Sequence, residues 1–92
     1  MSNYYATFLS RTHAFLAANH LRSMNIAYEI SHIPREIAAE PCAMGLKLLG
    51  EYFDKAYSII KHLDIPGCSF YKEIRNPGSY ISQYLKIEEE SQ

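Results

Sequence analysis

The stretch YYATFLSRTHAFLAANHLRSMNIAYEISHI, residues 4–33, predicts a strand, a helix and a second strand in that order. Residues 4–9 are rich in aromatic and β-favouring side chains. Ser10 is a good N-cap, and apolar residues follow it at helical spacing: Ala14, Ala17, Ala18 and Leu21, with Phe15 beside them. Asn25 suits a left-handed helix terminus. Residues 26–33 then alternate in polarity, as a half-buried strand does.

The next part of the sequence again predicts a strand, a helix and a strand. Met44, Leu46 and Leu48 alternate with smaller or polar residues and predict a third strand, in which Gly45 marks a bulge or a close backbone approach. Residues 51–63 carry an apolar stripe at helical spacing, and residues 68–74 read as a fourth strand. The order β-α-β-β-α-β predicts an α+β domain over residues 1–75, a ferredoxin-like two-layer sandwich with both helices on one sheet face.

The C-terminal part of the sequence, residues 76–92, is predicted to be a helical extension. Asn76, Pro77 and Gly78 form a turn signal. Ser79 then caps a short helix, with Ile81, Tyr84 and Leu85 on one side. The three glutamates at 88–90 are expected to form a solvated end.

Composition narrows the function classes. The chain has 92 residues and fits one domain. Nine basic and ten acidic residues give a net charge of −1, so we expect no electrostatic capture of nucleic acid. We expect no signal peptide and no membrane span, since no stretch approaches about 18 apolar residues. The expected location is the cytoplasm, where the two cysteines would be free thiols.

Cys42 is the candidate functional residue. In the predicted topology three junctions meet at one end of the sheet: the start of the first helix, the loop over residues 34–42, and the entry to the fourth strand. A helix N-terminus and nearby cations lower the pKa of a thiol by stabilising the thiolate. Residues expected at or near this end that could bind or stabilise a Cys42 thiolate are Arg11, Thr12, His13, Pro34 and Arg35.

Cys68 is expected to pack on the same strand face as Phe70. A resolving role would require the Cys42 loop to bend inward. The third and fourth strands flank the first, about 9–10 Å apart, whereas a disulfide needs Cα atoms within about 7 Å. The four histidines lack metal-site spacing, so we predict neither a metal site nor a cofactor.

Four segments resemble one known family: residues 8–14 (FLSRTHA), 25–28 (NIAY), 33–37 (IPREI) and 41–46 (PCAMGL). They are similar to the DUF3343 family of small bacterial selenium/sulfur-carrier-like proteins, over residues 5–73. The resemblance implies that Cys42 holds sulfur or selenium as a persulfide or selenosulfide. It also implies donor and acceptor proteins as partners, and a carrier rather than a turnover enzyme.

Within that motif, Pro34 and Arg35 match the segment before the family cysteine, and Thr12 matches the polar start of the first helix. Family members usually carry Cys-Gly at this point, whereas this chain has Cys42-Ala43.

Two other functions remain open from the residues alone. One is a non-catalytic interaction or regulatory module, for which the eight tyrosines, Tyr80 and Tyr84 among them, would provide a partner surface. An exposed edge strand would also allow a homodimer. The other is a thiol redox sensor, with Cys42 oxidised and then resolved by Cys68.

Overall fold

The structure, a computed structural model, describes residues 3–38, 44–78 and 82–87. Its elements in chain order are β1 (Asn3–Thr7), α1 (Arg11–Ser23), β2 (Glu29–His32), β3 (Met44–Leu49), a 3₁₀ turn (Gly50–Tyr52) that leads into α2 (Phe53–Leu63), β4 (Ser69–Arg75) and β5 (Ser82–Ile87). The predicted α+β class is confirmed.

The five strands form one sheet in the order β2-β3-β1-β4-β5, and every neighbouring pair is antiparallel. β1 lies at the centre, where Tyr5 is opposite Lys47 of β3 on one side and Tyr71 of β4 on the other. The fifth strand extends the sheet beyond the four strands that the sequence predicts.

The two helices contact each other, and both contact β3. Their inner sides share one core with the sheet, formed by Ala6, Ala17, Ala18, Leu21, Ile26, Leu46, Leu48, Phe53, Ala56, Ile60 and Phe70. The ring of Tyr4 stacks on that of Phe53 with centroids 3.9 Å apart. The sequence places Phe15 beside the apolar face of α1, but its side chain is 45% exposed. It lies one residue, about 100°, past the buried Ala14 and so points away from the sheet.

The ends of α1 follow the sequence signals. The Ser10 hydroxyl accepts a hydrogen bond from the backbone N–H of His13 at 3.2 Å, which is the predicted N-cap. Asn25 has a φ of 60°, the predicted left-handed terminus. The backbone N–H of Ile26 donates to the Leu21 carbonyl at 2.9 Å. Because the helix terminus uses this group, β2 begins at Glu29 rather than at residue 26.

The predicted C-terminal helix is wrong over the residues that the structure describes there. Ser82–Ile87 form β5, which pairs with β4 along its whole length. The spacing of Ile81, Tyr84 and Leu85 fits a helix face, but Leu85 and Ile87 are two residues apart, as on one face of a strand. The strand prevails because the edge of β4 offers hydrogen-bond partners to the backbone, while a short isolated helix is marginal.

The packing of β5 agrees with the two-residue spacing of Leu85 and Ile87. Ile87 lies opposite Phe70 and packs against the core, and Leu85 lies on the same side. Asn76, Pro77 and Gly78 form the predicted turn before it, with Gly78 at a φ of 80°. The predicted cap Ser79, Tyr80, Ile81 and the glutamates at 88–90 lie outside the described residues.

The sheet face opposite the helices is called the outer face below. Directly opposed residues of antiparallel strands share a face, which places on it Asn3, Tyr5, Glu29, Lys47, Tyr71, Glu73, Ser82 and Tyr84.

Within the described part of the chain, no helix has the length and apolar character needed to cross a membrane.

Candidate functional site

The strand ends meet at one edge of the sheet, here called the junction end. Thr7, the last residue of β1, lies opposite Gly45 of β3 and Ser69 of β4. His32, the last residue of β2, lies opposite Met44, the first residue of β3. The predicted convergence of these chain segments is therefore present. Cys42 itself lies outside the described residues.

The first turn of α1 lies at the junction end. α1 follows directly after β1 and leads to β2, which runs back to the junction end from Glu29, level with the middle of β1, to His32. β3 starts at the junction end and runs antiparallel to β1. α1 and β3 therefore start at the same end and run in the same direction, and they contact each other.

A close contact joins two of the junctions. The side chain of Leu9, between β1 and α1, occupies the space that a β-carbon at Gly67 would need. Gly67 also has a φ of 74°, in the left-handed region that favours glycine. The entry to β4 is thus held against the start of α1, and a side chain at position 67 would disturb both.

The predicted thiolate-binding residues fall into two groups. Arg11, Thr12 and His13 share the first turn of α1, with Arg11 and Thr12 exposed and His13 half-buried. Pro34 and Arg35 lie in the turn after β2, where the Pro34 carbonyl accepts hydrogen bonds from the backbone N–H groups of residues 37 and 38 at 3.1 and 3.0 Å. Pro34 is half-buried and Arg35 is exposed.

His13 is the distinctive member of this set. Its Nδ1 atom is buried and has no hydrogen-bond partner within residues 3–38, 44–78 and 82–87. Leaving a buried polar atom unpaired costs about 1–3 kcal/mol. On the first turn of α1, at the end where β3 begins, the ring therefore holds a hydrogen-bonding atom for which the described part of the chain supplies no partner.

Cys68 has a different environment. Its side chain is half-buried and packs against the core, as the sequence predicts. Burial raises the pKa of its thiol to about 12, against a smaller lowering by the charge of Lys61. β1 separates β3 from β4, so Gly45 and Ser69 are about 9–10 Å apart across Thr7. Both properties argue against Cys68 as a nucleophile or resolving thiol.

A polar network on the outer face does not follow from any pattern in the sequence. The Glu73 carboxylate accepts hydrogen bonds from the Ser82 hydroxyl at 2.8 Å and the Asn3 amide at 3.4 Å, and pairs with Arg75 at 3.3 Å. Its side chain is only 8% exposed. Burial alone raises the pKa of Glu73, but these hydrogen bonds and the charges of Arg75 and Lys47 lower it below the ordinary value.

The network joins three strands whose residues are far apart in the chain. Asn3 and Glu73 are 70 residues apart, and no local motif links them. The Asn3 bond requires the register of β1 with β4, and the Ser82 bond requires β5 and its register. Among the described residues, no group of three or more histidine, cysteine, aspartate or glutamate side chains could hold a metal ion.

A family model described as "Putative Se/S carrier protein-like" matches residues 3–72. No curated protein and no solved structure matched the chain. The matched residues include β1 to most of β4, both helices and both cysteines, and they end before β5.

Proposed function

The chain belongs to the family of selenium/sulfur-carrier-like proteins, and on this premise we propose that it carries sulfur or selenium on the thiol of Cys42. The cargo would be held as a persulfide or selenosulfide and passed to an acceptor protein. Such a protein moves an atom between partners rather than turning over a small substrate. A thiol of this kind needs a reducing compartment, which is why we place the protein in the cytoplasm.

The observation that carries this proposal is the buried Nδ1 of His13, which has no hydrogen-bond partner among the described residues. Cys42 precedes Met44, the first residue of β3, by two residues. Consecutive Cα atoms are 3.8 Å apart, so the Cα atoms of these two residues are at most about 8 Å apart. The first turn of α1 begins at the same end of the sheet as β3. We therefore propose that His13 Nδ1 is the hydrogen-bond partner of the Cys42 sulfur.

Other groups at this end support an anionic sulfur. The first turn of a helix has free backbone N–H groups and a partial positive charge. Arg11 and Thr12 lie on that turn, and the first turn of α1 contains no acidic residue. Arg35 adds a second cation from the turn after β2. These residues would bind and stabilise the loaded thiolate rather than take part in bond formation.

The contrast with Cys68 supports the choice of thiol. The chain has two cysteines. The thiolate is the reactive form of a cysteine, and with a pKa of about 12 the Cys68 thiol is almost entirely protonated near neutral pH. Cys42 is the remaining candidate, which agrees with its position in the family motif.

The loading step balances without an added oxidant. The donor is a protein or small-molecule persulfide, R–S–SH, which already holds sulfur at the sulfane level. The Cys42 thiolate attacks the terminal sulfur, the donor S–S bond breaks, and R–S⁻ leaves as Cys42–S–SH forms. Delivery is the same exchange to an acceptor thiolate. A donor R–S–SeH would load selenium in the same way.

Intact mass spectrometry tests the proposal. The reduced protein is incubated with a small-molecule persulfide and weighed under non-reducing conditions. We expect one added sulfur atom in the wild type and in Cys68→Ala, removed by a thiol reductant, and no addition in Cys42→Ala. Inorganic sulfide without an oxidant should add nothing, because it lacks sulfane sulfur.

Two results would contradict the proposal. One is a wild-type protein that gains no sulfur under these conditions. The other is an addition that persists in Cys42→Ala and disappears in Cys68→Ala, which would assign the cargo to the buried thiol.

A further inference from the structure

β5 lies beyond residues 3–72, so the family match assigns it no role. It is an edge strand, paired on one side with β4. Its residues Ser82 and Tyr84 lie on the outer face, and Ser82 bonds to Glu73 of β4. β5 is therefore bound to β4 by a side-chain hydrogen bond as well as by backbone pairing. The ring of Tyr84 lies on the outer face.

The chain that follows β2 turns onto the same face. The side chain of Ile33 fills the space in which a β-carbon of Gly45 would stand, and Ile33 is only 6% exposed. Gly45 follows the outer-face register, because it lies opposite Thr7 of β1 in the same alternation as Lys47 opposite Tyr5. The segment that starts at Ile33 thus begins by packing on the outer face.

Tyr84 of β5 lies on the same sheet face as this segment. Its ring meets the ring of Tyr5 edge-on, with centroids 6.0 Å apart, and Tyr5 is 7% exposed although both α1 and α2 pack on the other face. Burial and the charge of Glu73 raise the pKa of Tyr84, and the charge of Glu36 raises it further. β2 and β5 are four strand spacings apart, about 19 Å, so an effect of Glu36 on Tyr84 agrees with a segment that runs inward over the outer face.

We propose that Tyr84 is a positioning residue: together with Tyr5 it supports residues 33–38 on the outer face, and through them it sets the position of the chain that leads to Cys42. The support is inferred from the position of Ile33 on the outer face, the burial of Tyr5 and the ring contact of Tyr5 with Tyr84. Its consequence for the thiol rests on the proposed carrier function. β5 would then contribute to the carrier function, although it lies beyond the residues that the family model matches.

Amide hydrogen exchange measured by NMR tests the support directly. The amides of Ile37 and Ala38 both donate to the Pro34 carbonyl and report on this segment. In Tyr84→Ala we expect their exchange to quicken at least tenfold more than that of the β1 amides. Tyr84→Phe keeps the ring and should restore wild-type protection.

Leu85→Ala is the matched control, since it shortens a neighbouring β5 side chain on the opposite sheet face. It should leave the ratio of exchange rates unchanged. If the Ile37 and Ala38 amides change no more than the β1 amides in Tyr84→Ala, or if Leu85→Ala and Tyr84→Ala behave alike, the proposal is overturned. Global destabilisation gives the first of these results, so it also counts against the proposal.

The consequence for Cys42 is measured separately, in a Cys68→Ala background. We expect Tyr84→Ala to slow alkylation of Cys42 at pH 7 at least threefold and to move its pH profile upward, with Tyr84→Phe near the parent. An unchanged profile beside altered exchange would refute the link to the thiol. Sulfur loading that fails in the wild type would refute the carrier function, whereas the exchange rates would still decide whether Tyr84 supports the segment.

Discussion

The side chain of Ile33 lies where a β-carbon of Gly45 would stand, and the carbonyl oxygen of Ala6 borders the same space. One contact involves a flexible side chain and the other involves backbone at the centre of the sheet. The glycine is therefore required by close approach rather than by its φ angle. It lets the chain after β2 fold over the strand next to β1.

Substitution Gly45→Ala should destabilise the protein by about 1–3 kcal/mol, as overpacking does. The methyl group would meet both Ile33 and the Ala6 backbone, and the latter cannot move without disturbing β1. Urea unfolding of the wild type and the variant measures this difference. Making Gly45→Ala in an Ile33→Ala background separates the two contacts. The loss of stability relative to Ile33→Ala should be smaller than the loss relative to the wild type, but not zero. No loss at all in that background would show that Ile33 alone sets the constraint.

Glu73→Gln should lower stability at pH 7 by about 1 kcal/mol, since charge-assisted hydrogen bonds from Ser82 and Asn3 are weakened. Because the pKa of Glu73 is lowered in the folded state, its contribution is fully present above the unfolded value near 4.5 and is lost as the pH falls through the lower folded value. The difference between wild type and variant should therefore shrink between pH 5 and about pH 3. Thermal unfolding across this range measures it, with the exposed Glu51→Gln as control. A difference that stays constant down to pH 3 would contradict the assignment.

Cys68 should react slowly with iodoacetamide. A pKa of about 12 against an ordinary 9.0 makes its thiolate about 1,000-fold scarcer in the folded protein. At pH 7.5 we expect modification of Cys68 to be at least a hundredfold slower than in the urea-unfolded chain, as measured by peptide mass spectrometry. Above pH 9 the thiol of Cys68 loses its proton in the unfolded chain but keeps it in the folded protein. Its raised pKa therefore lowers the stability of the folded state as the pH rises. The wild type should thus lose more stability between pH 9 and 11 than Cys68→Ala, and equal losses would refute the assignment.

His13→Ala should raise the pKa of the Cys42 thiol and slow its alkylation at pH 7 by about three- to tenfold, because one hydrogen bond to a charged group is lost. The pH profile of alkylation in a Cys68→Ala background measures this shift. His20→Ala is the control, since His20 is exposed on the same helix and its Nδ1 lies 3.3 Å from the Leu16 carbonyl. Identical profiles for the two variants would remove His13 from the site.

The parts of the fold that the sequence predicts correctly are those with a local cause. The Ser10 cap, the left-handed Asn25 and the buried face of α1 each depend on residues within one or two turns. The close approach at Gly45 is also predicted, because a glycine inside a strand often marks a site where another chain segment comes near. Both helices are predicted at their correct places in the chain, since their apolar stripes are local patterns as well.

The errors arise where distant residues decide. Ile81, Tyr84 and Leu85 fit a helix face, whereas Leu85 and Ile87 fit a strand face, and pairing with the edge of β4 selects the strand. Of the candidate site, the sequence identifies His13 from its place on α1, but the lack of a partner for its Nδ1 depends on packing that no local pattern encodes. The Glu73 network and the contact of Tyr84 with Tyr5 depend on β5, so a helix predicted in its place hides them both.

The central position of β1 has a consequence for how the chain acquires its structure. Its two partners, β3 and β4, follow it in the chain by some 40 and 65 residues, while the pairings β2–β3 and β4–β5 are between consecutive strands. During synthesis the first strand can pair on one side only after β3 has left the ribosome, and on both sides only after β4 has followed. Such long-range closure slows folding, so the hairpins and helices would form early and β1 would be inserted between them last.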